Sequence, residues 1–359
     1  MDTVLPYLPR KGRGAVSNRD SRFETFVHEP VDDGWGDGWD EWPDEDLPPL
    51  RTTLSVDSTR KIITRNTSPD VPFDRSINPY KGCEHGCVYC FARPTHAFLG
   101  LSPGLDFESR LFYKPDAADL LERELRAPKY ECDVMAMGTN TDPYQPVERE
   151  LKITRRILEV LSAHDHPVGI VTKSSQIVRD IDILRPMAAK GLAQVCISVT
   201  TLDRGLARTM EPRAPTPARR LETIRALSEA GIPTGVMAAP MIPILNDREM
   251  EAILEAAATA GALSAGYVLL RLPLEIKDLF REWLEAHQPL KAKHVMNAIR
   301  DAGGGQIYDP TYGLRQRGTG PYAGMLQQRL GLNERRYRLD TTKFRRPPRT
   351  GDQLGLFGD

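Results

Sequence analysis

The chain has 359 residues, 40% of them hydrophobic and 27% charged, with a formal net charge of -1. That composition carries one large domain with tails, or two domains, and it excludes a general polyanion binder, so any nucleic-acid surface must be local. The five cysteines are too few for a disulfide framework, the opening MDTVLPYLPRKGRGAV lacks the apolar run of a signal peptide, and no stretch approaches the roughly eighteen apolar residues of a spanning helix; the expectation is a cytoplasmic protein in a reducing compartment, with no membrane partner.

Residues 1–75 read as an N-terminal arm, largely disordered over 1–50, where Gly, Asp, Arg and Pro dominate and little surface is available for burial. The acidic block DDGWGDGWDEWPDEDLPP holds three of the four tryptophans. Trp35, Trp39 and Trp42 have helical spacing, but Gly34, Gly36 and Gly38 between them oppose a stable helix. From residue 76 the pattern changes to short apolar runs alternating with amphipathic stretches. SINPY, DVMAM, VGIV, QVCISV, TGVMAA and GYVLL are the expected strands. Ile177, Ile181, Leu184 and Ala188 form one face of a helix that stops at Gly191. Thr216 and Pro217 open a second helix, which ends at Gly231, and Met250, Ile253, Leu254 and Ala257 make a third before Gly261.

Six strands, each followed by a helix, bend into an α/β fold: a partial (βα)6 TIM-type barrel over 76–300, with function expected at the C-terminal ends of the strands. A turn-rich, aromatic C-terminal extension follows over 301–340. Gly303, Gly304 and Gly305 lack the Lys and Ser/Thr of a phosphate loop and read as a helix stop. His164 and His166 read as a solvated connection. Residues 341–359 form a tail, and RYRLDTTKFRRPPR within Arg329–Arg349 is the one stretch cationic enough to meet phosphates.

CEHGCVYC places Cys83, Cys87 and Cys90 within eight residues. A structural zinc site closes with four ligands, so on that reading His85 or His96 supplies the fourth. A [4Fe-4S] cluster held by three thiolates keeps one iron open to a small molecule instead. S-adenosyl-L-methionine suits that position: its amino and carboxylate groups chelate iron, and one electron breaks a carbon–sulfur bond to give methionine and a 5′-deoxyadenosyl radical.

The C-x3-C-x2-C motif, with an aromatic residue before the third cysteine and in a loop after the first strand, resembles the radical SAM superfamily. NPYKGCEHGCVYCFARPTH, GTNTDPYQPVE, SVTTLD with RTMEPRAPTPARRLE, and AGIPTGVMAAPMIP extend the likeness over 76–275 to the spore photoproduct lyase branch, also called DNA repair photolyase-like. The resemblance implies cluster ligation by Cys83, Cys87 and Cys90, with Tyr89 against the cofactor. It implies contacts of Thr139, Asn140 and Thr141 with the methionine amino group, of Lys173 with its carboxylate, and of Ser198 and Arg213 with ribose or carboxylate; the backbone of Ala238 and Ala239 faces adenine. One departure stands out: where the lyase has a hydrogen-donating cysteine, Asn140 stands here, and Cys132 and Cys196 read as ordinary buried cysteines.

The resulting expectation is a radical SAM enzyme acting in nucleic-acid repair or modification, fed electrons by a flavodoxin or ferredoxin. A radical enzyme acting on a protein or small metabolite, and a non-catalytic Fe-S or zinc DNA-repair adaptor, are the alternatives. The tail residues Gln353, Leu354, Leu356 and Phe357 resemble the short peptide with which bacterial repair proteins bind the sliding clamp.

Overall fold

A computed structural model describes residues 9–24, 50–330 and 338–348, together with the backbone of a short strand pair, β1 (Thr3–Val4) and β2 (Val31–Asp32). Trp35, Trp39, Trp42 and the clamp-type residues of the tail lie outside the described residues. The further strands in chain order are β3 (Thr53–Val56), β4 (Ile63–Arg65), β5 (Arg75–Ile77), β6 (Tyr80–Lys81), β7 (Arg110–Tyr113), β8 (Met135–Met137), β9 (Val168–Thr172), β10 (Ala193–Ser198), β11 (Thr234–Met241) and β12 (Ser264–Leu269).

The central sheet has seven strands in the order β12-β11-β10-β9-β8-β5-β4. Strands β5 and β8 to β12 run parallel and correspond to the six apolar runs, which makes this an α/β fold with the sheet order of an open barrel. The seventh, β4, pairs antiparallel with β5 at one edge. Alternation decides which side of each strand is covered: Val168, Ile170, Val195 and Ile197 are buried in one core with helix residues such as Leu161 and Leu227. The alternate residues Gly169, Val171, Gln194 and Cys196 stay partly exposed on the hollow side. The helix Pro217–Glu229 starts where its sequence says it should, with Thr216 Oγ1 accepting from the Arg219 amide and Pro217 in the first turn.

The cysteine loop leaves the C-terminal end of this sheet through a small three-stranded sheet, β3-β7-β6. Behind the loop lies a second core in which Cys87, Val88 and Tyr89 pack with Met210, Phe280 and Trp283. The helix Ile276–His287 brings the last two, and Trp283 Nε1 donates to the Thr209 carbonyl at 3.0 Å.

Two expectations are corrected at the termini. Residues 10–24 do not behave as an arm: Ala15, Val16 and Ser17 are buried beside the cysteine loop. Glycine-rich composition hid this because the segment is held by main-chain hydrogen bonds rather than by a core of its own. Three cations among the described residues of the tail are also engaged within the protein. Lys343 Nζ donates to the Lys190 carbonyl at 2.7 Å, Arg346 Nη2 to the Tyr130 carbonyl at 2.9 Å, and Arg345 Nη2 pairs with Asp165 at 2.5 Å. Phe344 packs on His166, with ring centres 5.3 Å apart, so His166 is buried rather than solvated. No helix among the described residues is long and apolar enough to cross a membrane.

Candidate functional site

Three thiols come from one tight loop. After β6 the chain turns at Gly82 (φ 77°), where a Cβ would stand 2.9 Å from the Phe107 carbonyl oxygen, and again at Gly86 (φ 69°). Cys83 donates its amide to the Phe107 carbonyl at 2.9 Å, Val88 to Met210 at 3.1 Å and Cys90 to Cys87 at 3.2 Å. All three thiols are free; Cys83 and Cys87 are buried and Cys90 half-buried. Burial raises each above the ordinary thiol range, and Glu211 adds to the rise at Cys87. Metal-free, the three stay protonated at neutral pH, and bound iron would supply the charge that removes the protons.

The donor set fits an iron–sulfur cluster better than a zinc ion. His96 Nε2 bonds the Arg110 carbonyl at 2.9 Å, and His85 Nδ1 faces Asp142 Oδ2 at 3.4 Å. Among the described residues no three His, Cys, Asp or Glu side chains are grouped to hold a single metal ion. A cubane spreads its thiolates over separate irons and does not need them to converge on one point. In such a site Cys83, Cys87 and Cys90 are the residues that would hold the cluster.

The loop rests on a buried ion pair. Arg93 and Glu108 are fully buried and bonded to each other; Arg93 also donates to the carbonyls of Cys87 (2.9 Å), Gly86 (3.2 Å), Pro103 (3.1 Å) and Gly104 (2.9 Å). Glu108 accepts the amides of Gly14 at 2.9 Å and Ala15 at 2.8 Å, so the N-terminal segment is part of the cradle.

Opposite the loop, strand ends supply a polar wall. Lys173, just past β9, donates to Ser198 Oγ at 3.0 Å, lies 5.7 Å from the Tyr89 ring centre and 3.8 Å from Glu211. Buried Glu211 accepts from the Tyr89 hydroxyl, from Thr200 Oγ1 at 2.6 Å and from Arg220. Asp142 accepts from Thr172 Oγ1 at 2.7 Å and the Lys173 amide at 2.8 Å. Burial alone would raise the Asp142 carboxyl, but His85 and these donors outweigh it and bring it to about 2.

Tyr89, Lys173 and Ser198 therefore come together beside the cysteines. Thr139 and Asn140 are half-buried on the loop after β8, whereas the Thr141 hydroxyl bonds the Tyr80 carbonyl at 3.0 Å and ties that loop to β6. Arg213 pairs with Glu84 at 3.1 Å and does not join the Lys173–Ser198 group. Ala238 sits in the main core, and the Ala239 carbonyl accepts from Ser198 at 3.3 Å and Thr200 at 3.0 Å.

The sequence pattern of the Radical SAM superfamily matches residues 77–257, the span that carries the cysteine loop and the strand ends facing it. The chain belongs to the radical SAM superfamily. Members of this family use a [4Fe-4S] cluster and S-adenosylmethionine and generally take electrons from a flavodoxin or ferredoxin. Rv2578c of Mycobacterium tuberculosis is 33% identical over 282 residues, covering 78% of this chain and 79% of its own. MJ0683 of Methanocaldococcus jannaschii is 28% identical over 173 residues, which cover 48% of this chain and 62% of that protein. Among solved structures, a spore photoproduct lyase variant with bound AdoMet and dinucleoside spore photoproduct aligns with TM-score 0.48 at 17% identity, covering 66% of each chain. SuiB of Streptococcus suis, bound to S-adenosylmethionine, aligns with TM-score 0.41 at 15% identity over 63% of this chain and 47% of its own.

Sequence reasoning missed Glu211, Arg220, Asp142, Arg93 and Glu108. Glu211 and Arg220 lie inside the stretch RTMEPRAPTPARRLE, where an acid and a base bracket a loop, and that pairing was the available signal. For Glu108 and Gly14, 94 residues apart, there was none.

Proposed function

We propose that this radical SAM protein is an enzyme that repairs or modifies nucleic acid. The observation that carries the radical chemistry is the approach of Lys173, Ser198 and Tyr89 to Cys83, Cys87 and Cys90 at one end of the sheet. The nucleic-acid part is supported by the four stretches within 76–275 that resemble the photoproduct lyase branch. A reduced cluster held by these cysteines would supply one electron to the carbon–sulfur bond of bound S-adenosylmethionine, giving methionine and a 5′-deoxyadenosyl radical, and the oxidised cluster would be reduced again by a flavodoxin or ferredoxin.

The chain's own residues bind and exclude. Lys173 neutralises the methionine carboxylate, and Ser198 donates or accepts at ribose or carboxylate. Glu211, itself fixed by Arg220, holds the Tyr89 ring and the Lys173 ammonium in place from behind. The core behind the cysteine loop keeps water from the reacting atoms. Asn140 offers no thiol hydrogen, so the reaction ends by a route other than hydrogen return from this position. Gln353, Leu354, Leu356 and Phe357 lie outside the described residues and add nothing to this reading.

Anaerobic reconstitution followed by dithionite tests the proposal. The wild-type protein is expected to be brown, to hold about four irons per chain and to release 5′-deoxyadenosine, and Cys87→Ala should lose both colour and cleavage. Colourless protein with stoichiometric zinc, or cleavage retained in Cys87→Ala, would overturn it. An intact cluster with no cleavage would instead favour the non-catalytic adaptor.

A further inference from the structure

Among the described residues, three of the four exposed aromatic rings lie in one place. Among the described residues three phenylalanines are exposed, Phe23 (56%), Phe91 (47%) and Phe98 (73%), and all three border the cysteine loop. Phe91 follows Cys90 directly, Phe98 lies in the turn Arg93–Leu99 that leaves the loop, and Phe23 meets Phe98 with ring centres 5.4 Å apart. A fourth ring, Tyr312 (56% exposed), comes from the C-terminal extension.

Every one of these rings has an arginine over it. The guanidinium of Arg271 stands 5.2 Å from the Phe91 centre, that of Arg22 4.6 Å from Phe23 and 5.0 Å from Phe98, and that of Arg315 4.5 Å from Tyr312. The pairs are connected. The turn after β12 carries both Arg271 and Glu275, and Glu275 bonds Arg22 at 2.9 Å. Asp70 pairs with Arg315 and also feels the charge of Arg271. The Nε of Arg271 is buried without a hydrogen-bond partner among the described residues.

An arginine that merely shields a stray ring accounts for one such pair. It does not account for three exposed rings, Phe23 from the N-terminal segment and Phe91 and Phe98 from the cysteine loop and its exit, gathered beside the reactive site, because scattered exposed apolar residues are ordinary and clustered ones mark binding surfaces. The chemistry of the cluster is specific. Ring faces take any nucleobase by stacking, and arginines attract phosphates and stack on bases, which is the combination that tracks single strands. A duplex hides its base faces, and enzymes that act on a base take it out of the stack first.

We propose that this rim is a stacking platform for unpaired nucleotides, holding a single strand or an extruded base beside Cys90. The inference rests on the nucleic-acid reading above and specifies the form of the substrate: unpaired at the point of contact.

Fluorescence anisotropy of the reconstituted full chain tests it, with a labelled oligothymidylate of about 12 nucleotides and a duplex of the same length, over a range of salt. The single strand should bind more tightly than the duplex. The double variant Phe23→Ala, Phe98→Ala should weaken single-strand binding by about tenfold or more, because each stacked base contributes on that scale. Arg271→Gln should flatten the salt dependence of single-strand binding. Both aromatic positions are exposed, and unchanged melting temperature together with uncoupled 5′-deoxyadenosine release reports that the fold and cysteine site are intact. Equal affinity for strand and duplex, or a double variant that binds like the wild type, would overturn the platform while leaving the nucleic-acid reading standing. A wild-type protein that cleaves S-adenosylmethionine yet binds neither oligonucleotide would overturn both and point to a polypeptide or small-molecule substrate.

Discussion

Gly14 has no room for a side chain. A Cβ there would stand 1.8 Å from the Gly86 carbonyl oxygen, inside the cysteine loop. The same residue and Ala15 supply two of the donors that hold the buried Glu108 carboxylate, whose partner Arg93 gathers four carbonyls of the loop and its exit. Breaking a buried ion pair by removing one partner costs about 3–5 kcal/mol, so the cradle is stable only while all its members are present. Gly14→Val is therefore expected to displace the segment and lower cluster retention: iron per chain after anaerobic reconstitution should fall to about half or less, and air bleaching should quicken. Gly324→Ala, where a Cβ meets open space, serves as the control. Full iron content and unchanged bleaching in Gly14→Val would show that residues 12–17 only decorate the loop. The cysteine triplet was legible because its spacing is contained in eight residues. Its cradle was not, because pairing Gly14 with Glu108 requires knowing that the chain returns across the loop.

At the scale of elements, what could be read was what repeats. Apolar runs flanked by capped amphipathic stretches gave the six parallel strands in order, since a strand covered on one side by helices must be apolar at every second position. The three residues of β4 and the two of β6 carry too little pattern to find. Nor does composition reveal the strap 338–348, which looks like a free cationic tail until its partners are known. The strap covers His166: Nδ1 donates to the Pro167 carbonyl at 3.0 Å, Nε2 meets the Tyr130 hydroxyl at 2.6 Å, and Phe344 closes the remaining side. Burial lowers the His166 pKa to about 4, with Arg75 and His164 adding to the drop and the Pro167 carbonyl and Asp133 opposing it. In the unfolded chain His166 binds its proton near pH 6.5. Between pH 6.5 and 4 the unfolded state thus holds more protons than the folded one, and stability falls as pH falls, by about 3 kcal/mol across that window. Opening the site with Phe344→Ala lets water reach the ring and should raise its pKa, giving a protein that is less stable at pH 7.5 but has a shallower acid dependence. Urea midpoints at a series of pH values check this; parallel curves for the two proteins would remove His166 as the source.

On the scale of the whole molecule, two groups of cations separate by face. The net charge of -1 conceals the fact that the strap cations and the arginines over the rim rings lie at opposite ends of the sheet. Lys343, Arg345 and Arg346 bind carbonyls and carboxylates around residues 127–130, 165 and 190, which precede β8, β9 and β10 and so belong to the N-terminal ends of the strands. Arg22 and Arg271 stand at the C-terminal ends, over the rings that border the cysteine loop. A polyanion that reaches the reactive site must meet the second set, and the first is too far round the molecule to share the contact. This separates two explanations of any nucleic-acid binding that sequence alone leaves merged, because composition assigns both sets the same charge. The triple variant Lys343→Gln, Arg345→Gln, Arg346→Gln should keep the wild-type slope of log affinity against log salt for a single-stranded oligonucleotide, since the number of phosphates neutralised is unchanged. It should melt slightly lower; the Arg345 end of its pair with buried Asp165 is exposed to solvent and screened, so the pair contributes about 1 kcal/mol, and the main-chain contacts of Lys343 and Arg346 add comparable amounts. Anisotropy titrations at several salt concentrations, with thermal melts on the same samples, check both halves. A slope that drops by about one per cation removed would reassign the phosphate contacts to the strap and take them away from the mouth of the barrel.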